Sequence, residues 1–218
     1  ITDAASIQRV LDHVQPWAVI NTAGYVPVDD AETERDACFR TNAEGAALLA
    51  SACAARGIRL VTFSSDLVFD GTKLAPYVEE DCTSPLSVYG KSKAEAESRV
   101  LAIMPSALVV RTSAFFGPWD EYNFAAAVLR ALRSGERFAA ASDIVISPTY
   151  VPDLVNISLD LLIDGEVGLW HLANQGSLSW AEFARRTAEQ AGLSSRQIDA
   201  APSVEMGFLA TRPQFSAL

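Results

Sequence analysis

The apolar positions of the chain follow two different spacings, and together they predict alternating helices and strands. Behind Asp3, a possible N-cap, apolar residues recur at intervals of three and four and predict a first helix. Short, almost continuous apolar runs predict strands covered on both faces, as in parallel sheets; they span 17–21, 59–63, 107–112 and 168–172. Helical composition fills the intervals; the predicted helices cover about 34–56, the segment around 89–99, 125–134, a stretch from 152 and a stretch from 180. The alternation indicates an α/β fold.

Composition and charge narrow the class of protein. The 218 residues are 50% hydrophobic and 20% charged, which is ordinary for a globular protein. A net charge of −10 and only 17 Lys and Arg argue against a nucleic-acid partner. No apolar run approaches the length of a membrane span and the start has no signal-peptide pattern, so we expect a cytoplasmic protein without a membrane partner. Neither the three cysteines nor the two histidines have metal-ligand spacing, so no metal site is expected.

Polar residues with chemical potential gather where the second predicted strand ends. Ser64, Ser65 and Asp66 follow that strand, while Tyr89 and Lys93 lie four residues apart in the next helical segment and so share one helix face. A phenol, with a usual pKa of about 10, becomes a better proton shuttle when a nearby ammonium favours its ionised form. Ser65 at the strand end could hold the reacting oxygen. The segment therefore predicts acid catalysis at a carbonyl or hydroxyl.

This set of serine, tyrosine and lysine resembles that of the short-chain dehydrogenase/reductase superfamily. The stretch 63–71, F-S-S-D-L-V-F-D-G, is similar to the S-T-D-Y-V-F-D-G signature of the dTDP-4-dehydrorhamnose reductase family. The resemblance implies a Rossmann-like, doubly wound parallel sheet, NADP or NAD as cofactor, and reduction of a 4-keto sugar nucleotide. It implies that Tyr89 donates a proton to the ketone and that Lys93 favours the tyrosinate and binds the nicotinamide ribose. Ser65 would orient the oxygen and Asp66 would flank the site.

The resemblance also implies further contacts with cofactor and substrate. The cofactor contacts are expected at the small-residue turn after the first strand, where ligands approach α/β sheets, and at neighbouring positions: Asn21, Thr22, Ala23, Gly24, Tyr25, Asn42, Ser64, Tyr89, Lys93, Arg111 and Thr112. The substrate contacts are expected at Val28, Asp29, Ser65, Asp66, Val68, Phe69, Asn123, Pro148, Thr149 and Arg212. Ser216 follows Arg212 in a segment similar to the family's terminal R-P-x-x-S, which suggests a nucleotide-sugar contact.

Two positions depart from the family's pattern. Ala114 stands where the family commonly places a tryptophan, and Ile144-Val145 stand where glutamine and glycine are expected. These differences concern the sugar pocket, so the sequence leaves the substrate less defined than the fold.

A glycine-rich phosphate loop is missing from this sequence. Dinucleotide-binding folds normally open with a strand and a G-x-G-x-x-G turn, and none of the 12 glycines forms that pattern. We therefore expect a partial nucleotide-binding domain at 1–140, lacking its first βαβ unit, interleaved with a smaller α/β substrate lobe at 141–218. The chain is then either a piece of a longer polypeptide or a shortened relative. In both cases the strand at 17–21 forms an open edge, which predicts a homodimer or association with the missing N-terminal segment.

Two other functions remain open from the sequence. The missing phosphate loop and Ala114 favour a non-catalytic regulatory or scaffolding module on the same fold, like the regulatory subunit of methionine adenosyltransferase. The joint presence of Ser65, Tyr89 and Lys93 opposes that reading. An epimerase or dehydratase of the same superfamily is disfavoured by the 63–71 stretch.

Overall fold

The computed structural model describes residues 1–218 and contains the alternating helices and strands that the sequence predicts. The α-helices are α1 (Ala4–Val14), α2 (Arg35–Phe39), α3 (Gly45–Ala54), α4 (Val88–Ile103), α5 (Phe124–Arg133), α6 (Val151–Asp164) and α7 (Trp180–Gln190). The strands are β1 (Ala18–Asn21), β2 (Arg59–Phe63), β3 (Leu108–Arg111), β4 (Phe115–Phe116), β5 (Phe138–Ala141), β6 (Val145–Ile146), β7 (Thr149–Tyr150), β8 (Gly168–His171), β9 (Leu178–Ser179) and β10 (Ile198–Ala201). None of the helices is both long and apolar enough to cross a bilayer.

Four parallel strands form the main sheet, in the order β1-β2-β3-β8. Helices cover both of its faces, as parallel sheets require. On one face α1, α3 and α4 share a core with the sheet, and on the other α6 packs over β2 and β3; the buried residues include Ile7, Leu49, Leu60, Val100 and Val109 on the first face and Val61, Val110, Leu154 and Leu162 on the second. The carboxyl ends of the strands meet at one rim of this sheet.

The helix predicted at about 34–56 is continuous but not regular. Its α-helical parts, α2 and α3, are joined by a π-helical turn at Arg40–Glu44. Such turns insert one extra residue and are common near functional sites. This turn carries Asn42, whose side chain is buried.

The remaining elements build a smaller lobe from short strand pairs. β5 pairs with β10 and β4 with β7, both in parallel, whereas β6 pairs antiparallel with β9. α5 precedes residue 140 but packs against α7 and β5 in the core of this lobe. Conversely, α6 and β8 follow residue 141, but α6 packs on the main sheet and β8 is one of its strands. The predicted boundary near 140 therefore divides the sequence but not the core, because the two lobes are interleaved.

The first strand lies at an open edge of the sheet, as the sequence predicts. β1 pairs only with β2; Trp17, which precedes it, and Ile20, within it, are 63% and 42% exposed. An edge with unpaired backbone groups next to exposed apolar side chains is suited to pairing with another strand. Association through β1 stays a prediction.

Candidate functional site

The strand ends place Ser65 at the rim of the main sheet. After β2 the backbone stays bonded to the end of the neighbouring β3, with the Ser64 N–H donating to Val110 O at 2.7 Å and the Asp66 N–H to Thr112 O at 3.0 Å. Ser65 then caps a short 3-10 helix, its Oγ accepting the Leu67 N–H at 3.1 Å. These bonds fix both the position and the direction of the Ser65 side chain.

The helix α4 brings Tyr89 and Lys93 to the same place. It starts at a Ser87 N-cap, and its first N–H, that of Val88, donates to Glu32 Oε1 at 2.8 Å. Lys93 Nζ donates to Phe63 O, the last carbonyl of β2, at 3.1 Å and lies 5.8 Å from the centre of the Tyr89 ring. The spacing of four residues therefore places both side chains over the end of β2, as expected.

Burial and nearby charges keep the phenol of Tyr89 protonated. Desolvation raises the pKa of Tyr89 well above its usual value, Asp66 raises this pKa further, and a hydrogen bond with Ser65 opposes them. We expected Lys93 to lower the pKa of Tyr89, but burial outweighs any such effect. Burial also lowers the pKa of Lys93, to about 8. At neutral pH the site thus holds a protonated phenol beside an ammonium.

The turn that follows β1 is tied to α4 through Asn42. Asn42 Oδ1 accepts the Tyr25 N–H at 2.7 Å, and Asn42 Nδ2 donates to Tyr25 O at 3.2 Å and to Ser92 Oγ at 2.9 Å. At the start of the turn, Asn21 Oδ1 accepts the Ala23 N–H at 3.2 Å. The turn that is predicted to bind the cofactor is therefore held against the helix that carries Tyr89. Thr22 and Ala23 are exposed at its tip.

Two observations fit a nicotinamide cofactor at this turn. A Cβ on Gly24 would lie in van der Waals contact with Lys93 Nζ at 3.6 Å and with Asn42 Oδ1 at 3.4 Å, so glycine leaves space beside the ammonium that a larger residue would fill. The buried hydroxyl of Ser64 has no hydrogen-bond partner, which is costly for a buried polar group unless a ligand supplies one. The Lys93 ammonium and the Ser64 hydroxyl could each bind a ribose hydroxyl or the carboxamide of a nicotinamide.

Three of the predicted contact residues have side chains engaged in packing. Val68 and Phe69 are fully buried, and Phe69 stacks on Tyr77 with a ring-centroid separation of 3.9 Å, so both side chains pack in the interior. The guanidinium of Arg111 is bonded to Glu97 at 2.9 and 2.8 Å and lies over the Phe69 ring. The side chains of all three are thus engaged in packing in this structure, and their expected contacts with cofactor or substrate stay predictions.

The other predicted contact residues are divided between buried and partly exposed positions. Thr112 and Thr149 are buried and bonded to each other at 3.2 Å, and Asn123 caps α5 by accepting the Ala126 N–H at 2.9 Å. Val28, Asp29, Pro148 and Arg212 are partly exposed. Ser216, expected to contact a nucleotide sugar, is buried with its hydroxyl on Asp66.

Sequence reasoning missed two serines near the site. Ser92 receives the Asn42 amide and donates to Tyr89 O at 2.7 Å, and Ser113 donates to Asp66 Oδ2 at 2.8 Å. A signal existed for Ser113, because it follows β3 just as Ser65 follows the neighbouring β2. Ser92 adjoins Lys93, but nothing in the local pattern indicates its partner 50 residues away.

Gly90 holds α4 close to the loop that contains Ser65. A Cβ at Gly90 would lie 2.2 Å from Leu67 O and 3.0 Å from Pro85 Cβ. We expect Gly90→Ala to lower the free energy of unfolding by about 1–3 kcal/mol through overpacking, although alanine is otherwise the better helix former by about 1 kcal/mol. Thermal unfolding measures the loss, and the displaced Tyr89 should also lower activity.

The matched control is Gly45→Ala in α3. Its Cβ would lie 2.7 and 2.9 Å from Ile1 Cγ1 and Cδ1 but would meet no backbone atom within 3.4 Å. Because the exposed Ile1 can shift and alanine is the better helix former, this variant should lose less stability than Gly90→Ala. Equal stability changes in the two variants would contradict the role given to the close approach at Gly90.

Comparison with known proteins places these observations among sugar-nucleotide reductases. The model of a family described as "RmlD substrate binding domain" matches residues 1–218. The chain is 32% identical over 219 residues to the dTDP-4-keto-6-deoxy-D-glucose reductase of Streptomyces niveus, covering all of this chain and 76% of the relative. It is 38% identical over 224 residues to the dTDP-4-dehydrorhamnose reductase of Mycobacterium tuberculosis strain H37Rv, covering 73% of that protein.

Solved structures agree with the sheet and helices described above. The crystal structure of dTDP-4-dehydrorhamnose reductase from Bacillus anthracis in complex with NADP superimposes with a TM-score of 0.96 at 33% identity, covering all of this chain and 76% of that one. The Clostridium acetobutylicum relative gives a TM-score of 0.94 at 30% identity, with the same coverage. The predicted Rossmann-like fold is thereby confirmed.

Proposed function

This chain belongs to the family of the RmlD substrate binding domain, and from this membership we propose that it takes part in the NADPH- or NADH-dependent reduction of a keto group on a sugar nucleotide. The substrate class is that of dTDP-4-dehydrorhamnose reductases. The observation that carries the proposal is the meeting of Ser65, Tyr89 and Lys93 at the carboxyl end of β2. A scaffold without chemistry would not need a protonated phenol and an ammonium over a strand end.

Each of the three groups has a definite task. When bound, the dihydronicotinamide supplies a hydride to the carbonyl carbon. Tyr89, protonated at neutral pH, donates its proton to the carbonyl oxygen, and the Ser65 hydroxyl holds that oxygen beside the phenol. Lys93 is the cationic partner that favours the tyrosinate left behind. Positioned proton transfer of this kind contributes about 10²–10⁴ in rate.

The cofactor would be held along the turn after β1 and at the β2 end. Gly24 keeps the approach to Lys93 open, and Ser64 offers a buried hydroxyl that lacks a partner. Asn42 holds the turn in place through Tyr25. Backbone contacts from Thr112 and Arg111, and contacts from Asn21 to Ala23, stay part of the proposal.

Arg212 is the residue best suited to the substrate's phosphates. Its Nη2 donates to Asp29 Oδ2 at 3.0 Å, but its Nη1 is buried without any partner. Burial lowers the pKa of Arg212 from its usual value, while Asp29, Glu32 and Asp66 act in the opposite direction. An unpaired guanidinium nitrogen in a half-buried place suits a phosphate oxygen of a sugar nucleotide. Val28, Asp29 and Pro148 would line the same approach.

The direct test is reduction of dTDP-4-keto-6-deoxyglucose or its rhamnose-series epimer by the full-length protein. We expect loss of the reduced-nicotinamide absorbance together with formation of the 4-hydroxy sugar nucleotide. Titration by nicotinamide fluorescence adds a second measurement. Absence of both turnover and cofactor binding would refute the proposal and favour the regulatory module.

The pKa of Lys93 predicts the pH dependence of cofactor binding. Since burial lowers this pKa to about 8, the ammonium is present below that pH and is lost as the pH rises through it. We expect the affinity for NADPH to weaken above pH 8 by up to about tenfold per pH unit, as required when only the protonated form binds. Fluorescence titration between pH 6.5 and pH 9.5 (about three units around the pKa) measures it. The Lys93→Met variant should bind more weakly and show no such bend; the same bend in that variant would contradict the assignment.

A further inference from the structure

The carboxylate of Asp66 accepts hydrogen bonds from three serine hydroxyls that lie in three separate parts of the chain. Ser65 donates to Oδ1 at 3.0 Å, while Ser113, just after β3, and Ser216, in the C-terminal segment, donate to Oδ2 at 2.8 and 2.6 Å. All four residues are buried, with exposed fractions of 1–7%. The proposed reaction gives no task to Ser113 or Ser216.

The Ser65 hydroxyl has a single proton and can donate only one hydrogen bond in this cluster. A serine has one O–H to donate and two lone pairs to accept with. In this structure the proton goes to Asp66, and one lone pair accepts the Leu67 N–H. Ser65 can therefore donate to the Tyr89 oxygen or to a substrate oxygen only by leaving Asp66. The strength of the Asp66 acceptor decides how readily it does so.

Ser113 and Ser216 weaken that acceptor from the opposite side. Two hydroxyls on Oδ2 stabilise the negative charge there and fix the plane of the carboxylate, so that only Oδ1 is left for Ser65. We infer that Ser113 and Ser216 are positioning residues for the reduction proposed above, because they hold Asp66 so that it orients the Ser65 hydroxyl without retaining it. The inference rests on the proposed function.

The ionisation of Asp66 agrees with this arrangement. Burial raises the pKa of Asp66, and the bonds from Ser216, Ser113 and Ser65 each lower it. The titratable groups that face this carboxyl are Tyr89 on α4 and Arg212 in the C-terminal segment, since Asp66 raises the pKa of both. Loss of one serine should therefore raise the pKa of Asp66.

Ser147 allows a role of Ser216 on Asp66 to be distinguished from simple anchoring of the C-terminal segment. Ser147 accepts the Leu218 N–H at 3.3 Å, and its single O–H donates to Gly176 O at 2.9 Å, with Leu218 O as an alternative acceptor at 3.3 Å. It is as buried as Ser216 but makes no bond to Asp66. Ser147→Ala thus loosens the same segment and leaves the carboxylate unchanged, which makes it the matched control for Ser216→Ala.

The kinetic experiment compares these variants in the full-length protein. Because a hydrogen bond to a charged group is lost, we expect Ser216→Ala to lower kcat about tenfold with the KM for NADPH unchanged, and Ser147→Ala to keep the wild-type kcat. Ser113→Ala should act like Ser216→Ala and provides a second variant if Ser216→Ala folds poorly. The double variant should lose less than the product of the single losses, because both hydroxyls bind one oxygen.

A second measurement does not depend on turnover. Carbon-13 NMR titration of the Asp66 carboxyl, assigned with Asp66→Asn, should show a higher pKa in Ser216→Ala than in the wild type, and no change in Ser147→Ala. If Ser113→Ala and Ser216→Ala both keep the wild-type kcat while Tyr89→Phe is inactive, this inference is overturned and the proposed function stands. An inactive wild type overturns the proposed function and the inference with it.

Discussion

Replacing Tyr89 with phenylalanine is expected to lower kcat of the reductase reaction by a factor on the order of 10²–10⁴. The change removes one oxygen, that of the phenol assigned as the proton donor to the carbonyl oxygen. The ring is kept, and with it the packing against Ala31, Cys38 and Val88 that holds the start of α4. The KM for NADPH should therefore change little. Steady-state kinetics with a 4-keto sugar nucleotide, together with fluorescence titration of the cofactor, measures both quantities.

Tyr77→Phe is the matched control for loss of a phenol oxygen. The hydroxyl of Tyr77 accepts the Gly71 N–H at 3.0 Å and donates to Asp70 at 3.1 Å, away from the strand end that carries Ser65. Its loss should lower the free energy of unfolding by about 1–3 kcal/mol and leave kcat near the wild-type value. If Tyr89→Phe keeps the wild-type kcat, Tyr89 is not the proton donor.

The elements of the fold followed from local signals in the sequence. Apolar runs predicted all four strands of the main sheet to within one residue at each end, because a strand covered on both faces is mostly apolar. Asp3 caps α1 as expected, accepting the N–H groups of Ala5 and Ser6. The spacing of Tyr89 and Lys93 also predicted that they share one face of α4, since four residues make about one helical turn. Each of these signals lies within one segment.

The direction of individual side chains was less accessible. Val68 and Phe69 belong to the motif that most resembles the reductase family, yet they are fully buried. The short 3-10 helix at Asp66–Val68 follows the strand end, and Val68 and Phe69 pack with Tyr77 in a buried cluster. A motif thus records residues that shape the site as well as residues that contact ligands, and spacing alone does not separate them.

Partnerships across the sequence were not predictable at all. Arg111 finds Glu97 at a separation of 14 residues, Ser113 finds Asp66 at 47, and Ser216 finds Asp66 at 150. Each pair depends on which strand ends and helix faces meet, and that is a property of the completed fold. The π-helical turn at Asn42 is similar, because a helical sequence pattern does not indicate one extra residue in a turn.

Glu97→Ala is expected to lower the free energy of unfolding by about 3–5 kcal/mol, because it leaves a buried guanidinium without its counter-ion. The side chains of Arg111 and Glu97 are 4% and 7% exposed and form two bonds of 2.9 and 2.8 Å. Removal of one partner strands the other charge away from water. Urea unfolding at neutral pH measures the loss. Arg111→Met combined with Glu97→Leu should recover much of it, since an apolar pair needs no solvation.

Glu95→Ala provides the comparison on the same helix. Glu95 pairs with Arg99 one turn along α4, with side chains 37% and 46% exposed, so its loss should cost only about 0.3–0.5 kcal/mol. Equal urea midpoints for the two variants would show that burial does not decide the difference. The loss of Glu97 should also reach the chemistry, because Glu97 is one of the charges that raise the pKa of Lys93 against burial. Without it that pKa falls further, and the bend in cofactor affinity moves to lower pH. The ion pair that holds α4 to β3 thus also sets the pH range in which Lys93 is charged.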